Sequence, residues 1–317
     1  MGREPATVIV TVRNESGSVE PLLDSLFQGS RSPDEVVIAD GGSTDDTVDR
    51  LRARAAGEPR LRVLLSPGNR SVGRNAAVRA ARHGLIACTD AGVQVEATWL
   101  ERILRPFQED AGIDVVAGFY RPIAQTSFER AAGVVSAPAL REVDPNRFLP
   151  STRSIAFRRG AWERVGGFDE ALAHNEDTPF ALALKAAGCR FAFAGDAVVG
   201  WSPRGDLGTF YRQHRRFGLG DGESRVQAWF YGTIAIKYGA ALVLLLAGFV
   251  FRPAWWALAL GAVLFLVQQG RRGIGRVRPV EALLLVPFLK VVYDAAYLRG
   301  YLGGRMGPPA SASRDRR

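Results

Sequence analysis

The sequence predicts an α/β fold built on a mainly parallel sheet, followed by a hydrophobic helical end. Over the first 120 residues, short β-rich runs alternate with longer helical patterns, which is typical of βαβ units. After residue 228 the chain turns strongly apolar in long segments that favour helices. The length of 317 residues exceeds what one compact domain usually needs, so we expect two parts.

Runs rich in branched apolar residues predict the strands of the sheet. They cover residues 7–12, 35–40, 60–65, 85–90 and 113–120. The stretches between them have helical patterns and cover residues 18–28, 44–56, 72–84 and 97–109. Further along, the stretch that begins at Asp177 predicts a helix that Gly188 ends.

The end of the chain predicts helices that meet a membrane. Residues 229–251 are apolar except for Lys237, and a spanning helix needs ~20 such residues. Residues 254–267 form a shorter second candidate, and the amphipathic residues 280–304 favour an interfacial helix. The alternative is a buried helical hairpin in a soluble core. The predicted organisation is a globular domain over 1–228, transmembrane or interfacial helices over 229–304 and a disordered basic tail over 305–317.

Charge indicates an orientation and a class of partner. Basic residues follow the second apolar segment, at Arg271, Arg272, Arg276 and Arg278. Two spans would return the chain to the side of the first domain, so the positive-inside bias predicts a cytosolic face for both. The net charge of +9 suits either a polyanionic partner or an anionic membrane surface. No nucleic-acid motif is present, and we expect no nucleic-acid partner. Cys88 and Cys189 show no metal-ligand spacing and predict reduced thiols.

Three strand ends form the predicted binding edge of the sheet, because ligands of parallel sheets bind beyond the carboxyl ends of the strands. They are Thr11–Glu15, Asp40–Asp45 and Asp90–Val93. In the second, two interpretations stay open. Ser43 and Asp46 have the spacing of a helix cap after a glycine turn. Asp40 itself ends a buried strand, where a carboxylate can accept hydrogen bonds from a nucleobase or a ribose.

Other charged residues suit the chemistry of phosphates and of proton transfer. Arg70 and Arg74 enter a helix after a Gly/Asn/Pro loop and can bind a diphosphate, or else form a solvated basic face. Asp90 can hold a hard divalent cation, or else it is a turn residue. Glu176 and Asp177 start a helix, and one of them can be a general base for a hydroxyl, or else a helix cap.

The order of these motifs along the chain resembles the inverting glycosyltransferases of family 2. The resemblance covers about residues 5 to 225 and includes Arg74-Asn75, Thr89-Asp90-Ala91 and the Gly-Gly-Phe-Asp-Glu run from Gly166 to Glu170. It implies the GT-A fold and a nucleotide-sugar donor. In the segment 210–222, Gln213, Arg216 and Phe217 are similar to the Gln-x-x-Arg-Trp box of membrane-associated members, with Phe in place of Trp.

The resemblance implies a role for each matching residue. Asp177, with Glu176 beside it, would be the catalytic base, and Asp90 would bind the donor sugar and a Mg²⁺ or Mn²⁺ ion. The residues implied to bind the donor nucleotide are Thr11, Arg13, Glu15, Asp40, Gly42, Ser43, Arg74 and Asp90. The residues implied at the acceptor or diphosphate are Gln213, Arg216 and Phe217.

Two departures from the family pattern concern the metal. The usual Asp-x-Asp is here Asp90-Ala91-Gly92, which lacks the second carboxylate. Family members often have a histidine where this chain has Trp201.

We therefore expect a transferase at the cytosolic face of the cytoplasmic membrane. It would move a sugar from a nucleotide-sugar, with UDP-sugar as the expected donor, to a hydroxyl of a lipid-linked or membrane-proximal glycan acceptor. Two or three apolar segments are few for a polysaccharide channel, which favours single or few additions. The alternatives are a polyprenyl-phosphate glycosyltransferase and, in another class, an inactive GT-A membrane scaffold.

Overall fold

The computed structural model describes residues 3–307, and the chain forms two compact units. The first comprises the residues up to Arg121 together with Leu140–Ser202. The second comprises Pro122–Ala139 and the residues from Pro203 onward. The predicted division at residue 228 stays a prediction. Most of the predicted tail, residues 308–317, lies outside the described residues, whereas residues 305 and 306 belong to the last helix.

Eight strands and eleven α-helices account for most of the described chain. The strands are β1 Ala6–Val12, β2 Glu35–Asp40, β3 Leu61–Leu65, β4 Leu85–Asp90, β5 Val93–Val95, β6 Val115–Pro122, β7 Ile155–Arg158 and β8 Phe191–Trp201. The helices are α1 Val19–Phe27, α2 Thr47–Gly57, α3 Arg70–Ala80, α4 Trp99–Glu109, α5 Ser127–Ser136, α6 Arg159–Arg164, α7 Asp177–Ala186, α8 Leu207–Glu223, α9 Ala228–Ala247, α10 Pro253–Gly273 and α11 Val286–Met306. A short 3-10 helix, Leu140–Glu142, and a π-helical segment, Glu281–Leu285, complete the description.

The sheet has the order β3-β2-β1-β4-β7-β6-β8-β5, so its first half is parallel and its second half is largely antiparallel. β7 runs antiparallel to β4, β6 to β7, and β5 to β8. The predicted α/β class and the four parallel strands are confirmed. The strands β5, β7 and β8 of the antiparallel half were not predicted, because they pair with strands far away in the sequence, and these pairs form only when the chain has folded.

Burial explains why the parallel half is so apolar. Every residue of β2 and all but one of β1 are buried, since helices cover both faces of such a sheet. Helix α3 approaches closely because it carries Gly73, where a side chain would lie 3.0 Å from the Cγ2 atom of Thr11. This close approach brings the start of α3 to the carboxyl ends of the parallel strands.

The second unit is helical, and glycines set the packing of α8 on α11. Side chains at Gly218 and Gly222 of α8 would collide with the backbone of α11, and side chains at Gly300 and Gly304 would collide with α8. Two small-x-x-x-small pairs therefore face each other, which is a common way for helices to pack closely in a membrane. A separate cluster of apolar side chains joins α5, α8 and α11.

Helices α9 and α10 are long and apolar enough to cross a membrane, by length and composition. They have 20 and 21 residues, and only 11% of each apolar window is buried. Large apolar side chains are left exposed, including Trp229 of α9 at 82%, Trp256 of α10 at 79% and, between the two helices, Val250 at 95%. Such exposure contradicts the alternative of a buried hairpin in a soluble core. α11 does not meet the same criteria among the described residues.

Candidate functional site

Three strand ends meet at one edge of the sheet, as the sequence predicts. β1 lies between β2 and β4, and its residues Thr11 and Val12 pair with Asp90 and Asp40 respectively. Adjacent strands are ~4.8 Å apart, so the backbones of Asp40 and Asp90 are separated by about 10 Å. The two carboxylates thus flank the end of β1 on opposite sides.

Asp40 is buried and holds its own turn. Its Oδ1 accepts hydrogen bonds from the backbone N–H groups of Gly42 and Ser43, at 3.0 and 2.9 Å, and its Oδ2 accepts from the Ser43 hydroxyl at 2.5 Å. Gly42 has φ +95°, which a residue with a side chain rarely adopts. Helix α2 starts only at Thr47, and Asp46 at its cap position forms no side-chain cap bond. The capping interpretation of Ser43 is therefore wrong, and Asp40 organises the turn.

The loop after β1 is joined to this turn. The Asn14 backbone N–H donates to the Ser43 hydroxyl at 2.9 Å, and the Asn14 side-chain oxygen accepts from the Thr44 N–H at 2.8 Å. The Glu15 carboxylate accepts from the Ser18 hydroxyl, while the Arg13 side chain is exposed. Thr11 lies within β1, half-buried, against the position of Gly73. The donor-binding roles expected for these residues stay predictions.

Arg74 is the centre of the charged cluster. It is 1% exposed, and its guanidinium forms salt bridges with Asp90 at 2.9 Å and with Glu176. The Nε atom has no hydrogen-bond partner among the described residues, and the ring of Phe168 lies 5.7 Å from the guanidinium carbon. The open alternative of a solvated basic face is wrong for Arg74, because the side chain is enclosed. Arg70, one turn earlier, is exposed.

Glu176 and Asp177 have different surroundings although they are neighbours. Glu176 is 4% exposed and is paired with Arg74, whereas Asp177 is the first residue of α7 and is half-buried. Burial, together with the adjacent charge of Glu176, raises the pKa of Asp177 above its ordinary value. Burial acts to raise the pKa of Asp90 too, but Arg74, with Arg153 and Arg70, holds it below its usual range. Asp177 is thus the carboxylate better suited to accept a proton.

Asn75 fixes the segment that leads to these carboxylates. It is 1% exposed, and its side-chain oxygen accepts from the Trp162 indole N–H at 3.1 Å and from the Phe168 N–H at 2.9 Å. Its amide nitrogen donates to the Phe168 carbonyl and to the Glu170 carboxylate, both at 2.8 Å. All four hydrogen-bonding positions of the amide are used. Together with Arg74, this residue connects α3 to the Gly-Gly-Phe-Asp-Glu segment and to the start of α7.

Arg153 is the cation that sequence reasoning missed. Its backbone carbonyl accepts from the Thr89 hydroxyl at 2.8 Å, which places it beside the end of β4. Its guanidinium carbon lies 5.5 Å from the Tyr120 ring centroid and 5.3 Å from that of Trp201. Its charge acts on both Asp90 and Asp177. No spacing in the sequence indicates this position, because Arg153 lies in an irregular segment far along the chain from β4.

Cys88 is a buried thiol beside the charged cluster of Arg74. It is fully buried, and burial raises the pKa of its thiol to about 12, although the nearby Arg74 acts in the opposite direction. Such a thiol stays protonated at neutral pH. Both cysteines are free and buried, as the reduced state predicts.

The residues around Asp90 supply only some of the ligands that a divalent cation needs. Among residues 3–307, no group of three or more His, Cys, Asp or Glu side chains is arranged to hold a metal. Arg74 occupies Oδ1 of Asp90, which leaves Oδ2 as a ligand, and the buried Trp201 offers none. Protein-bound Mg²⁺ often takes one or two carboxylates and completes its shell with water and substrate phosphates. Asp90 therefore fits an ion held jointly with a donor diphosphate.

The three box residues lie in α8 of the second unit. Gln213 accepts a hydrogen bond from Arg204 at 3.3 Å, and Arg216 is exposed. The ring of Phe217 is 5.9 Å from that of His214 and 6.3 Å from that of Tyr297, so it packs between α8 and α11. Their role toward an acceptor or a diphosphate stays a prediction.

Family models match most of the chain. The model "Glycosyl transferase family 2" matches residues 7–180, more than half of the length, and includes the strand-end turns and the Glu176-Asp177 pair. The chain belongs to glycosyl transferase family 2. A second model, "Glycosyl transferase family group 2", matches residues 114–268 and so continues through α8 and α9 into α10.

Named relatives are similar over part of their length. The chain is 28% identical to the succinoglycan biosynthesis protein ExoA of Rhizobium meliloti over 232 residues, which is 69% of this chain and 68% of ExoA. It is 27% identical to the uncharacterized glycosyltransferase EpsJ of Bacillus subtilis, over 56% of this chain and 54% of EpsJ. The 27% identity to the chondroitin synthase of Escherichia coli covers only 26% of that protein.

Solved structures share the fold at low identity. A mannosyltransferase from Pyrobaculum calidifontis, in complex with GDP-Man and Mn²⁺, superposes with a TM-score of 0.63 at 21% identity, over 94% of this chain and 88% of that one. TarS residues 1–349 of S. aureus superposes with a TM-score of 0.53 at 18% identity, over 96% and 92%. These likenesses confirm a GT-A-like fold for the glycosyltransferase.

Proposed function

We propose that this transferase moves a sugar, with inversion, from a UDP-sugar to a hydroxyl of a lipid-linked or membrane-proximal glycan acceptor. The observation that carries the proposal is the contrast between Asp177 and Asp90. Asp90 forms a salt bridge with Arg74, and Asp177 follows Glu176, the other partner of Arg74. The pKa of Asp177 is nevertheless raised, whereas the pKa of Asp90 is lowered. Two carboxylates with separated pKa values divide proton transfer and ligand binding between them.

Asp177 acts as the general base. Its carboxylate takes the proton of the acceptor hydroxyl while that oxygen forms a bond to the anomeric carbon of the donor sugar. The bond from that carbon to the nucleotide oxygen breaks on the opposite face, and its electron pair leaves with the diphosphate. In-line displacement inverts the anomeric centre. Because Arg74 holds Glu176 as a charged neighbour, Asp177 keeps a higher affinity for the proton than an exposed aspartate has.

Cations around the strand ends stabilise the leaving diphosphate. Arg153 is held beside the end of β4 by Thr89 and by two aromatic rings, and Arg70 lies exposed at the start of α3. Fixed cations aimed at developing negative charge stabilise a transition state without costly rearrangement. A divalent ion held by Asp90 and the donor phosphates would supply further Lewis-acid stabilisation. The Mn²⁺ of the Pyrobaculum mannosyltransferase complex supports testing this ion first.

The apolar helices support the proposal that the enzyme is associated with a membrane. The exposed apolar surfaces of α9 and α10 favour insertion as a hairpin, which returns the chain to the side it came from. Arg271 and Arg272 in the last turn of α10 then favour the cytosolic side for that end, by the positive-inside bias. A donor made in the cytosol would reach the site directly.

Two measurements on the detergent-solubilised full chain test the proposal. Calorimetric titration with UDP, and with GDP for comparison, is made with and without Mn²⁺. We expect UDP to bind more tightly, with Mn²⁺ strengthening it. Asp177→Asn should lower the rate of donor-dependent transfer at least 100-fold while changing UDP affinity less than threefold. The wild-type rate should fall as pH is lowered through the raised pKa of Asp177.

The exposed Asp49→Asn is the matched control and should behave as wild type in both assays. Equal loss of transfer and of UDP binding in Asp177→Asn would reject Asp177 as the base. Transfer to a polyprenyl phosphate that survives Asp177→Asn would favour that acceptor class, because a phosphate oxygen needs no base. No binding of either nucleotide would favour the inactive scaffold.

A further inference from the structure

A cationic pocket lies in the second unit, between α9, α10 and α11. It has a volume of about 390 Å³, and its polar lining is Thr233, Lys237, Gln268, Gln269, Arg272, Lys290 and Asp294. Two of its apolar walls are Phe230 and Ile234 of α9. The pocket belongs to none of the motifs that the glycosyltransferase site uses.

The charges in this pocket do not balance. Asp294 is fully buried, and its carboxylate accepts from Lys237, from Lys290 and, at 3.0 Å, from the Tyr238 hydroxyl. Arg272 forms no salt bridge within residues 3–307. Three cations therefore face one carboxylate, which leaves two positive charges without a counter-charge. Cations between apolar helices are costly when they are unpaired, so an anion is the ligand that the pocket favours.

Gln269 gives a second, independent indication of a ligand. It lines the pocket and is only 4% exposed, yet its side-chain oxygen has no hydrogen-bond partner among the described residues. A buried amide with an unused polar atom costs free energy unless something binds it. A hydroxyl-bearing anionic headgroup would satisfy both the amide and the cations.

The position of the pocket favours a lipid over a soluble anion. Arg272 lies in the last turn of α10 and Phe230 in the first turn of α9, so the pocket extends from these helix ends as far as Lys237 in the middle of α9. Both helices expose apolar side chains next to it, such as Ile236 and Leu264. A polar headgroup beside apolar helix surfaces is the arrangement that a phospholipid offers.

We propose that this pocket binds the phosphate headgroup of an anionic membrane phospholipid. Two uncompensated positive charges match the two phosphates of cardiolipin better than the single phosphate of phosphatidylglycerol. The bound lipid neutralises the pocket and joins α9 and α10 to α11. The proposal rests on the membrane association described above and is independent of sugar transfer.

Native mass spectrometry of the detergent-solubilised full chain tests it, with cardiolipin, phosphatidylglycerol and phosphatidylcholine added in turn. We expect retention to fall in that order. Arg272→Gln should weaken cardiolipin binding about fivefold, because each basic side chain near an anionic headgroup contributes on this scale. This substitution leaves the Asp294 salt bridges in place, so the variant should fold. Gln269→Leu should also weaken binding, and cardiolipin should raise the melting midpoint of wild type more than that of Arg272→Gln.

The control is Arg271→Gln, next in sequence but exposed and outside the pocket lining. It should retain cardiolipin as wild type does. Equal loss in Arg271→Gln and Arg272→Gln would overturn the pocket as the site, as would equal retention of phosphatidylcholine. The phospholipid assignment would be overturned if inorganic phosphate alone raised the melting midpoint as much as cardiolipin does. It would also be overturned if an equal amount of polyprenyl phosphate displaced bound cardiolipin. Flotation with phosphatidylcholine vesicles tests membrane association separately, and UDP titration tests the transferase site.

Discussion

Replacing Arg74 by methionine removes the cation that joins two otherwise separate carboxylates. The guanidinium is 1% exposed, and the side chain of its partner Glu176 is 5% exposed. Breaking a buried ion pair from one side costs about 3–5 kcal/mol, because the remaining charge stays buried without a partner. The second partner, Asp90, is 30% exposed on its side chain and adds less. A unit of about 150–250 residues loses roughly 2–4 °C per kcal/mol, so the melting midpoint should fall by roughly 6–20 °C.

The assay is thermal unfolding of the solubilised full chain, followed by intrinsic fluorescence. Arg74→Met is compared with Glu176→Gln and with the double variant, which removes both charges. Since the double variant leaves no unpaired charge on Glu176, its loss should be smaller than the sum of the single losses by at least 1 kcal/mol. Arg79→Met is the matched control on the same helix, because the Arg79 side chain is 61% exposed and pairs with Glu170 only at 3.5 Å.

The pH dependence of sugar transfer should also change in Arg74→Met, because the Arg74 charge affects the pKa of Asp177. Burial and Glu176 raise the pKa of Asp177, and the Arg74 charge opposes them. Without Arg74 the pKa should rise further, so the acidic limb of the rate profile should move to higher pH. A melting midpoint within 2 °C of wild type, or losses that add in the double variant, would refute the assignment of Arg74 as the buried bridge.

Three further outcomes are expected. Asp40→Ala removes the acceptor of three hydrogen bonds in its turn and should weaken UDP binding about tenfold by calorimetry; unchanged affinity would leave Asp40 as a turn residue alone. Glu35→Gln should lower the free energy of unfolding at pH 7 by about 1–3 kcal/mol. Burial raises the pKa of Glu35, but hydrogen bonds from its neighbours hold it below the ordinary value, so this stabilisation is present above about pH 4.3 and is lost as pH falls through the folded pKa. Denaturation curves of Glu35→Gln and wild type should converge at low pH, and a constant difference from pH 7 to pH 3 would contradict this. Gly167→Ala should cost about 1–3 kcal/mol in denaturant unfolding, because Gly167 has φ +79° and a methyl group would lie 2.7 Å from the Asn75 side-chain oxygen. Gly160→Ala, with open space around it, should not destabilise, and equal losses in the two variants would show that backbone conformation is not the cause.

The local pattern of the sequence determined the parallel half of the fold and the place of the binding edge. Alternation of apolar runs with helical stretches is a property of neighbouring residues, so β1, β2 and β4 were predicted to within one residue at each end. Glycine at position 188 has φ +71° and ends α7 as expected, because the conformation depends on the residue itself. The start of α2 was predicted less well, because the helix was expected from residue 44 and begins at Thr47. The Ser43 hydroxyl donates to Asp40 and does not cap the helix.

Tertiary structure alone decided what the charged residues do. Arg74 has the same local signature as an exposed helix arginine, and it is buried only because Glu176, 102 residues later, reaches it in the folded chain. Arg153 and the rings of Tyr120 and Trp201 come together from three separate segments. In the second unit, Lys237 and Lys290 converge on Asp294 from two helices. Secondary structure depends on neighbours in sequence and can be predicted from them, whereas the burial of a charge and its partner depend on contacts that exist only once the chain has folded.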